Sequence, residues 1–402
     1  MLKLCKVLLE ELCLWPLATS PSMNKRSIFR YAVNLSIETT VLTTTLIYVL
    51  QNLQNIDEAT EPGFACFAYA TSMFIYVWMI SKKHLISSSI DHLECCVNER
   101  TKFNADVSES NERTETEAIY EQAEQQYTKL SRRYILSWSV IVCLYAFILT
   151  IIPVSDMWHG QTDASNWPTL FKSVYPLDSR KMSTFSIHYT LDFMAVFVHV
   201  SIYAASSTFH MATAQYVSAM ILDTTSILQR CDINTTTNDL KLASVQDVTI
   251  NNTLNKAVDL HANVLALTKV LLKIMSGVLF IIIINSIIFC ALCLFQMETK
   301  TKAGAFEVYV SLNSVTLQGA LIWFFCYHSA LVAMRMGEVS NVAYALPWYH
   351  FSITSQKGVM MMLRQSNKHF AYRGFGILQC DLQTLKMMIN SVVSYYLLLK
   401  KM

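Results

Sequence analysis

Long apolar runs separated by polar segments are the main pattern along this chain. Two runs, residues 31–56 and 182–222, are apolar except for one acidic residue each, Glu38 and Asp192. Four others contain no Asp, Glu, Lys or Arg and are long enough to cross the roughly 30 Å hydrocarbon layer as helices. These four cover residues 62–81, 134–155, 274–297 and 308–334.

The closing segment, residues 375–402, reads as a seventh membrane helix although it carries Asp381, Lys386 and Asn390. Each such helix satisfies its own backbone hydrogen bonds, and the alternation typical of barrel strands is not seen. The pattern therefore predicts an all-α membrane protein with seven transmembrane helices.

The polar segments between the spans differ in the structure they predict. Residues 82–133 lack Pro and Gly and are rich in Glu and Gln, which favours helical extensions of the second and third spans. Residues 231–247 are polar enough to form a flexible loop, and residues 248–275 carry a helical apolar stripe leading into the fifth span. Residues 340–374 are amphipathic, which predicts a helix that packs on its neighbours.

Lys and Arg are distributed very unevenly, and this predicts the orientation of the chain. Of 31 such residues, 23 lie in the N-terminal segment and in the second, fourth and sixth loops. The N-terminus is therefore expected in the cytoplasm and the C-terminus outside, the reverse of a G-protein-coupled receptor. The sequons at Asn234 and Asn251 fall in the fourth, cytoplasmic loop, so we interpret them as chance matches.

Composition supports a membrane protein and excludes several function classes. The 402 residues are 53% hydrophobic and 15% charged, with a net charge of +2 that indicates neither nucleic acid nor an acidic partner. Lys3, Lys6, Glu10 and Glu11 interrupt the N-terminal apolar run, so no cleavable signal peptide is expected. We find no phosphate-binding loop, nucleophile elbow or zinc-binding helix and therefore predict no enzyme and no cofactor.

The cysteines give no sign of a metal site or an external disulfide framework. None of the eleven lies in an external loop, although Cys66 begins the second span. Cys290 and Cys293 have the spacing of a metal or redox pair, but they lie in the most apolar helix without a second pair. A packing role is the better interpretation.

The fourth span carries His188, Asp192, His199 and Tyr203 at spacings that put them on or near one helix face. They form either a polar network inside the bundle or a ligand or ion site, since an ionisable residue in a membrane helix rarely faces lipid. Aromatic and Met side chains also concentrate in the outer halves of several spans. They indicate either a packed core or a cavity for a small apolar ligand. These residues are Tyr69, Met73, Phe74, Tyr145, Tyr189, Phe193 and Tyr309.

The last predicted helix carries a largely polar stripe at steps of three and four residues. Such a stripe lines a water-filled pore, with Leu398 as a hydrophobic constriction, or else forms a buried polar seam without a pore. The stripe consists of Gln383, Met387, Asn390 or Ser391, Ser394, Leu398 and Lys401.

Several short motifs together resemble those of one known family. Trp15-Pro16, "FKSVYPLD" in the third loop, "YALPWYHF", "MMLRQSNK" and the closing "INSVVSYYLLLKKM" follow the order found in insect odorant receptors. The resemblance spans the whole chain, is most specific in the last sixty residues, and is to the variable, odorant-tuning class. A gustatory receptor is the near alternative, but "SYYLLLK" is more similar to the odorant class.

The resemblance implies a ligand-gated, poorly selective cation channel in the plasma membrane of olfactory sensory neuron dendrites. This chain would be the odorant-tuning subunit of a heterotetramer with the shared olfactory coreceptor, and it would bind a small hydrophobic volatile. Four regions are expected: a cytoplasmic segment (1–30), a ligand-binding bundle (31–222), helices five and six with cytoplasmic anchor helices (223–372), and a pore-lining helix (373–402).

The resemblance also implies roles for particular residues. Ser394, Leu398 and Lys401 would line the pore, with Leu398 as the gate, and Trp348 and Tyr349 would belong to the anchor between subunits. Lys401 departs from the coreceptor pattern, which has a neutral amide residue nearby, and four lysines in a ring would repel cations. The odorant pocket corresponds by depth and helix face to Ala70, Met73, Phe74, Tyr145, Ile148, Leu149, His188, Leu191, Asp192, Tyr309, Leu312 and Asn313.

Two other classes fit the pattern less well. A receptor that signals through G proteins is disfavoured by the inverted charge distribution, and glycosylation at Asn234 or Asn251 would revive it. A transporter usually shows internal repeats, and none is evident.

Overall fold

The computed structural model describes residues 3–12, 25–106, 110–159, 172–175, 181–231, 240–299, 305–368 and 370–401. Within these ranges the regular secondary structure is helical apart from a small hairpin of two-residue strands. The helices are α1 (Lys3–Glu11), α2 (Lys25–Gln51), α3 (Ile56–Ser81), α4 (Lys83–Asp106), α5 (Ser110–Trp158), α6 (Met182–Gln229), α7 (Leu240–Thr299), α8 (Ala305–Ala345), α9 (Ile353–Ser366) and α10 (Leu382–Lys401). The hairpin pairs β1 (Arg373–Gly374) with β2 (Leu378–Gln379) in antiparallel fashion.

Five of the described helices contain stretches long and apolar enough to cross a membrane. The stretches are Ser27–Gln51, Pro62–Ser81, Met182–Gln229, Val248–Phe295 and Ser314–Ala345. They coincide with five of the seven predicted spans, while α5 contains the predicted third span and α10 most of the last. The predicted all-α membrane fold is confirmed.

Helices α5 to α8 are much longer than a bilayer is thick. They contain 49, 48, 60 and 41 residues, or about 60–90 Å at 1.5 Å per residue. With the orientation that the charges predict, the excess length lies on the cytoplasmic side. Helices α4 and α5 thus form the extensions predicted for residues 82–133.

The prediction of a flexible segment over residues 231–247 is wrong from residue 240 onward, where α7 already begins. Farther along this helix, Ile250, Leu254 and Ala257 are buried against neighbouring helices. Packing of that face outweighs the low helix propensity of nearby Thr and Asn residues. Residues 232–239 lie outside the described ranges.

The region predicted as a single helix over residues 340–374 is divided into several elements. Helix α8 ends at Ala345, because the residue before Pro347 is disfavoured in helical conformation. A 3-10 turn (Trp348–His350) follows, and Ser352 then caps α9 by accepting a hydrogen bond from the backbone N–H of Ser355.

Helix α6 lies at the centre of the fold. It packs on α2, α5, α7 and α8 as well as on α1. Nearly every side chain from Ile202 to Leu228 is buried, and many are Ala, Ser or Thr. Small side chains let neighbouring helices approach closely, so α6 can be surrounded on all sides.

Two ion pairs join the cytoplasmic ends of α4, α5 and α6. Arg100 of α4 donates two hydrogen bonds to the fully buried Asp223 of α6, at 2.9 and 3.0 Å. Tyr120 of α5 donates to the same carboxylate at 3.2 Å. Nearer the surface, a hydrogen bond from Arg230 holds the pKa of the Glu115 carboxyl below its usual value.

The hairpin before the last helix corrects the predicted seventh span. Phe375 and Gly376 have positive φ angles of 47° and 76°, so the backbone turns here and cannot continue a helix. Asp381 then accepts a hydrogen bond from the backbone N–H of Thr384 at 2.6 Å, as an N-terminal cap does. Asp381 is therefore outside the membrane helix, which begins at Leu382.

Candidate functional site

A cluster of three polar residues lies between the outer ends of α2 and α6. His188 and Asp192 are four residues apart on α6, so they share one face, and both are buried. Tyr175, from the loop before α6, donates a hydrogen bond to Asp192 Oδ1 at 2.6 Å. Its ring stacks on the His188 imidazole with centroids 4.0 Å apart and planes 13° apart. We call Tyr175, His188 and Asp192 the outer polar cluster.

The loop that supplies Tyr175 is attached to α2 as well as to α6. The backbone N–H of Val174 donates to the carbonyl oxygen of Thr44 at 3.1 Å. Burial, followed by the neighbouring Asp192 carboxyl, raises the pKa of the Tyr175 hydroxyl, so this group remains a hydrogen-bond donor. Residues 172–175 thus connect the outer parts of two helices across the bundle.

Two atoms of the outer polar cluster have no hydrogen-bond partner among the described residues. They are Asp192 Oδ2 and His188 Nε2, and both are shielded from solvent. An unpaired polar group in an apolar interior costs free energy of about 1–3 kcal/mol, more when it is charged. The cluster therefore has unused capacity to bind a polar group.

A second polar cluster lies deeper, where α2, α3 and α6 meet. Glu38 is completely buried and accepts a hydrogen bond from Ser72 Oγ at 2.9 Å. The His199 ring lies between two tyrosines, with its centroid 5.4 Å from that of Tyr69 and 4.8 Å from that of Tyr203. The predicted polar face of the fourth span therefore faces the inside of the bundle.

The other predicted pocket residues occupy varied positions. Met73, Phe74 and Leu191 are half-buried, whereas Ala70 and Leu312 are exposed on the surface of the chain. The side chains of Tyr145, Ile148, Leu149, Tyr309 and Asn313 lie outside the described residues. Of the predicted set, the structure brings together His188 and Asp192 around Tyr175.

Helix α10 packs on α7 and α8 along a narrow face and leaves most of its described surface uncovered, including the apolar Leu382, Ile389 and Val393. Thr384 and Met388 are buried on the packed face. The predicted stripe lies on the uncovered face: Gln383, Met387, Asn390, Ser394 and Leu398 are all exposed, whereas Ser391 is half-buried. The Lys401 side chain lies outside the described residues. The stripe is therefore not a seam buried within its own chain.

The predicted anchor residues lie in the 3-10 turn after α8. Trp348 is half-buried against the core, while Tyr349 is 64% exposed. Further large apolar side chains are exposed nearby in the sequence. We call Tyr344, Tyr349, Ile353, Met360 and Met361 together the anchor-region apolar residues.

Sequence reasoning did not identify two important residues as part of a site. Tyr175 lies in a loop, where no periodicity points to a partner, and its motif contributes only to the family resemblance. Glu38 is a single charge in an apolar span. Ionisable residues at membrane depth are usually functional or paired, and that signal could have identified Glu38.

Within the described ranges no three His, Cys, Asp or Glu side chains converge as metal ligands would.

Comparison with known proteins gives the chain a family. It matches the family model described as 7tm Odorant receptor over residues 55–393. No curated protein matches it.

Two solved structures of the insect olfactory receptor OR5 from Machilis hrabei have a similar fold at 12% sequence identity. One has a TM-score of 0.73 and covers 99% of this chain and 97% of that chain. The other, in complex with eugenol, has a TM-score of 0.75 and covers 100% and 97%. Because the family model matches most of its length, the chain belongs to the seven-transmembrane odorant receptor family, as a multi-pass membrane receptor and not an enzyme.

Proposed function

We propose that this chain is the odorant-tuning subunit of a ligand-gated, non-selective cation channel. The observation that carries the proposal is the uncovered polar stripe of α10. Gln383, Asn390 and Ser394 turn away from their own chain, and polar groups at membrane depth are favourable when they line water. Water can be enclosed there when the last helices of several subunits surround one pore.

The proposed ligand is a small, largely apolar volatile held in the outer half of residues 31–222. The buried pair His188 and Asp192 supports this location, because polar groups with free capacity inside an apolar bundle are typical of binding sites. Met73, Phe74 and Leu191 would contribute apolar surface. Tyr145, Ile148, Leu149, Tyr309 and Asn313 remain predictions, as do the exposed Ala70 and Leu312. The eugenol complex of OR5 makes eugenol a reasonable first probe.

The proposed partner is the shared coreceptor, in a heterotetramer at the plasma membrane of olfactory neurons. Residues 223–372 would hold the subunits together, and the anchor-region apolar residues support this, since all five are exposed on the single chain and would be covered by a neighbouring subunit. Lys401 favours one or few copies of this chain per channel, because four lysines around a pore would repel cations. Residues 1–30 would stay in the cytoplasm.

A ligand opens such a channel only by binding the open state more tightly than the closed state. The difference in binding free energy between the two states limits how far the ligand can shift the equilibrium. Moving the open fraction from about 1% to about 99% requires a difference of roughly 5.5 kcal/mol. Helix α6 carries His188 and Asp192 of the outer polar cluster and continues unbroken toward the cytoplasmic side, and it packs on α7 and α8. These two helices in turn hold α10.

Co-expression with the coreceptor tests the proposed function directly. We expect odorant-evoked cation current from cells that express both chains, and no such response to the same volatile from either chain alone. Whole-cell recording during a panel that includes eugenol measures this. Silence of the pair across the panel, with both chains labelled at the surface, would count against the proposal.

Leu398→Ala is expected to increase the current that flows without odorant. Leu398 is 58% exposed on the uncovered face of α10, and truncation widens a hydrophobic constriction that excludes water. We expect an increase on the order of tenfold, equivalent to about 1.4 kcal/mol of barrier. Leu397→Ala is the matched control, because Leu397 is similarly exposed at a neighbouring position. Unchanged basal and evoked currents in Leu398→Ala would show that Leu398 is not the gate.

A further inference from the structure

The outer polar cluster has a chemistry that a pure hydrocarbon ligand cannot satisfy. We propose that the ligand carries a hydrogen-bond donor, a hydroxyl or an amino group, which Asp192 Oδ2 accepts. This inference rests on the proposed odorant-binding function and makes it more specific. Asp192 becomes the residue that selects among volatiles of similar size and shape.

The hydrogen bonds of Asp192 leave one oxygen atom for the ligand. Tyr175 occupies Oδ1 at 2.6 Å, and Oδ2 has no partner among the described residues. A donor from the ligand would add to the hydrogen bond from Tyr175, and both bonds favour the ionised form of Asp192, in which Oδ2 can only accept. Asp192 is fully buried, which removes bulk water as an easy alternative.

His188 adds a second polar atom on the same face of α6. Its Nε2 atom is buried and has no partner within the described part of the chain. Stacking on Tyr175 holds the imidazole ring in place. A neutral imidazole nitrogen either donates or accepts a hydrogen bond, according to its tautomer. A hydroxyl group, which can donate and accept at once, therefore suits a site formed by Asp192 and His188.

Apolar side chains next to the cluster can contact the rest of the ligand. Ala195 follows Asp192 by about one helical turn and packs in a cluster with Val41, Ala65 and Tyr69 from α2 and α3. The region thus combines a polar end with an apolar body, which matches a small amphiphilic volatile rather than an alkane.

A ligand without a donor would leave Asp192 Oδ2 without a partner in the interior of the bundle. Removing the donor from a ligand is therefore expected to raise its half-maximal concentration about tenfold. The same loss is expected when Asp192 is replaced by an apolar residue. Only ligands with a donor should be affected by that replacement.

The test uses sets of four compounds on a common skeleton, applied to the full-length chain with its coreceptor. The first set is benzyl alcohol, benzylamine, benzyl methyl ether and toluene. For every other volatile in the panel that activates the channel, the alcohol, amine, methyl ether and hydrocarbon with its carbon skeleton form a further set. Half-maximal concentrations are measured for wild type, Asp192→Leu, Asp192→Asn and Tyr175→Phe.

In wild type we expect the alcohol or the amine to act at about tenfold lower concentration than the ether and the hydrocarbon. Asp192→Leu should abolish this preference. Asp192→Asn should preserve a preference for the alcohol, because the amide oxygen still accepts a hydrogen bond. If the amine binds as an ammonium ion, Asp192→Asn should weaken the preference for the amine, because the negative charge is gone. Like Asp192→Leu, Tyr175→Phe removes the hydrogen bond between Tyr175 and Asp192, but it leaves Asp192 in place. It should therefore retain the donor preference even if it raises the half-maximal concentrations of all four compounds alike.

The outcomes separate this inference from the proposed function. If wild type treats all four forms alike, or if Asp192→Leu shifts all four equally, the donor site is refuted and the odorant function stands. The same holds if Tyr175→Phe loses the preference as fully as Asp192→Leu does, because Asp192 would then act only as the partner of Tyr175. If no volatile evokes current although both chains reach the surface, the proposed function fails and this inference with it.

Discussion

Replacing Arg100 by Met is expected to reduce the free energy of unfolding by about 3–5 kcal/mol and to remove most of the receptor from the cell surface. The reason is the carboxylate that would remain. Asp223 is fully buried, and the Arg100 side chain that neutralises it with two hydrogen bonds is only 13% exposed. Thr116 and Tyr120 also contact the carboxylate but bring no positive charge.

Two further variants show whether the change in the free energy of unfolding comes from the loss of the Arg100–Asp223 pair or from mutation in general. The double variant Arg100→Met with Asp223→Leu is expected to recover at least half of the loss, because apolar residues often replace a buried pair at little cost. Arg230→Met breaks the more exposed pair with Glu115, so a change of about 0–1 kcal/mol is expected.

Thermal unfolding of the full-length protein in detergent and surface labelling of intact cells measure both comparisons. Equal melting temperatures for Arg100→Met and Arg230→Met would contradict the central role of the buried pair. So would a double variant that is less stable than Arg100→Met.

Gly374→Ala is expected to displace the hairpin from α7 and to abolish evoked current. A Cβ atom at this position would lie 2.8 Å from the backbone N and Cα atoms of Phe280, where no flexible side chain can move aside. Overpacking of this kind costs about 1–3 kcal/mol and occasionally more. We expect evoked current to be lost even if the melting temperature falls only slightly, because the hairpin leads directly into Asp381 and α10.

Gly337→Ala provides a matched control for the same substitution. Gly337 lies within α8, and a Cβ atom there would have nothing within 4 Å. Alanine in place of helical glycine is expected to be neutral or stabilising by up to about 1 kcal/mol. Melting temperatures and odorant-evoked currents are compared for both variants. A Gly374→Ala receptor with normal current would show that the hairpin does not have to pack closely on α7.

Three buried carboxyl groups, those of Asp223, Glu38 and Asp192, differ in their hydrogen-bond partners. Asp223 is fully paired with Arg100, which suits a structural role. Glu38 and Asp192 each have one hydrogen bond from a neighbouring hydroxyl group and one oxygen without a partner among the described residues. Because an unpaired buried polar group is costly, the free oxygen of Asp192 is the basis of the ligand site proposed above.

The sequence by itself determined the membrane class, the approximate spans and the polar stripe of the last helix. These features are local: the length of an apolar run and the spacing of side chains at 3.6 residues per turn do not depend on distant parts of the chain. The same reasoning placed His188 and Asp192 on one face of their helix, and the family resemblance was carried by motifs that are equally local.

Only the tertiary structure decided which distant residues meet and where each element stops. Arg100 and Asp223 are separated by 123 positions, and Tyr175 reaches Asp192 from a loop that has no periodic pattern. Asp381 looked like a charge inside a membrane helix, but the hairpin places it at the helix start as a cap. Pairings of this kind arise from the packing of whole helices, and the residue pattern within one segment does not specify which distant segment it will contact.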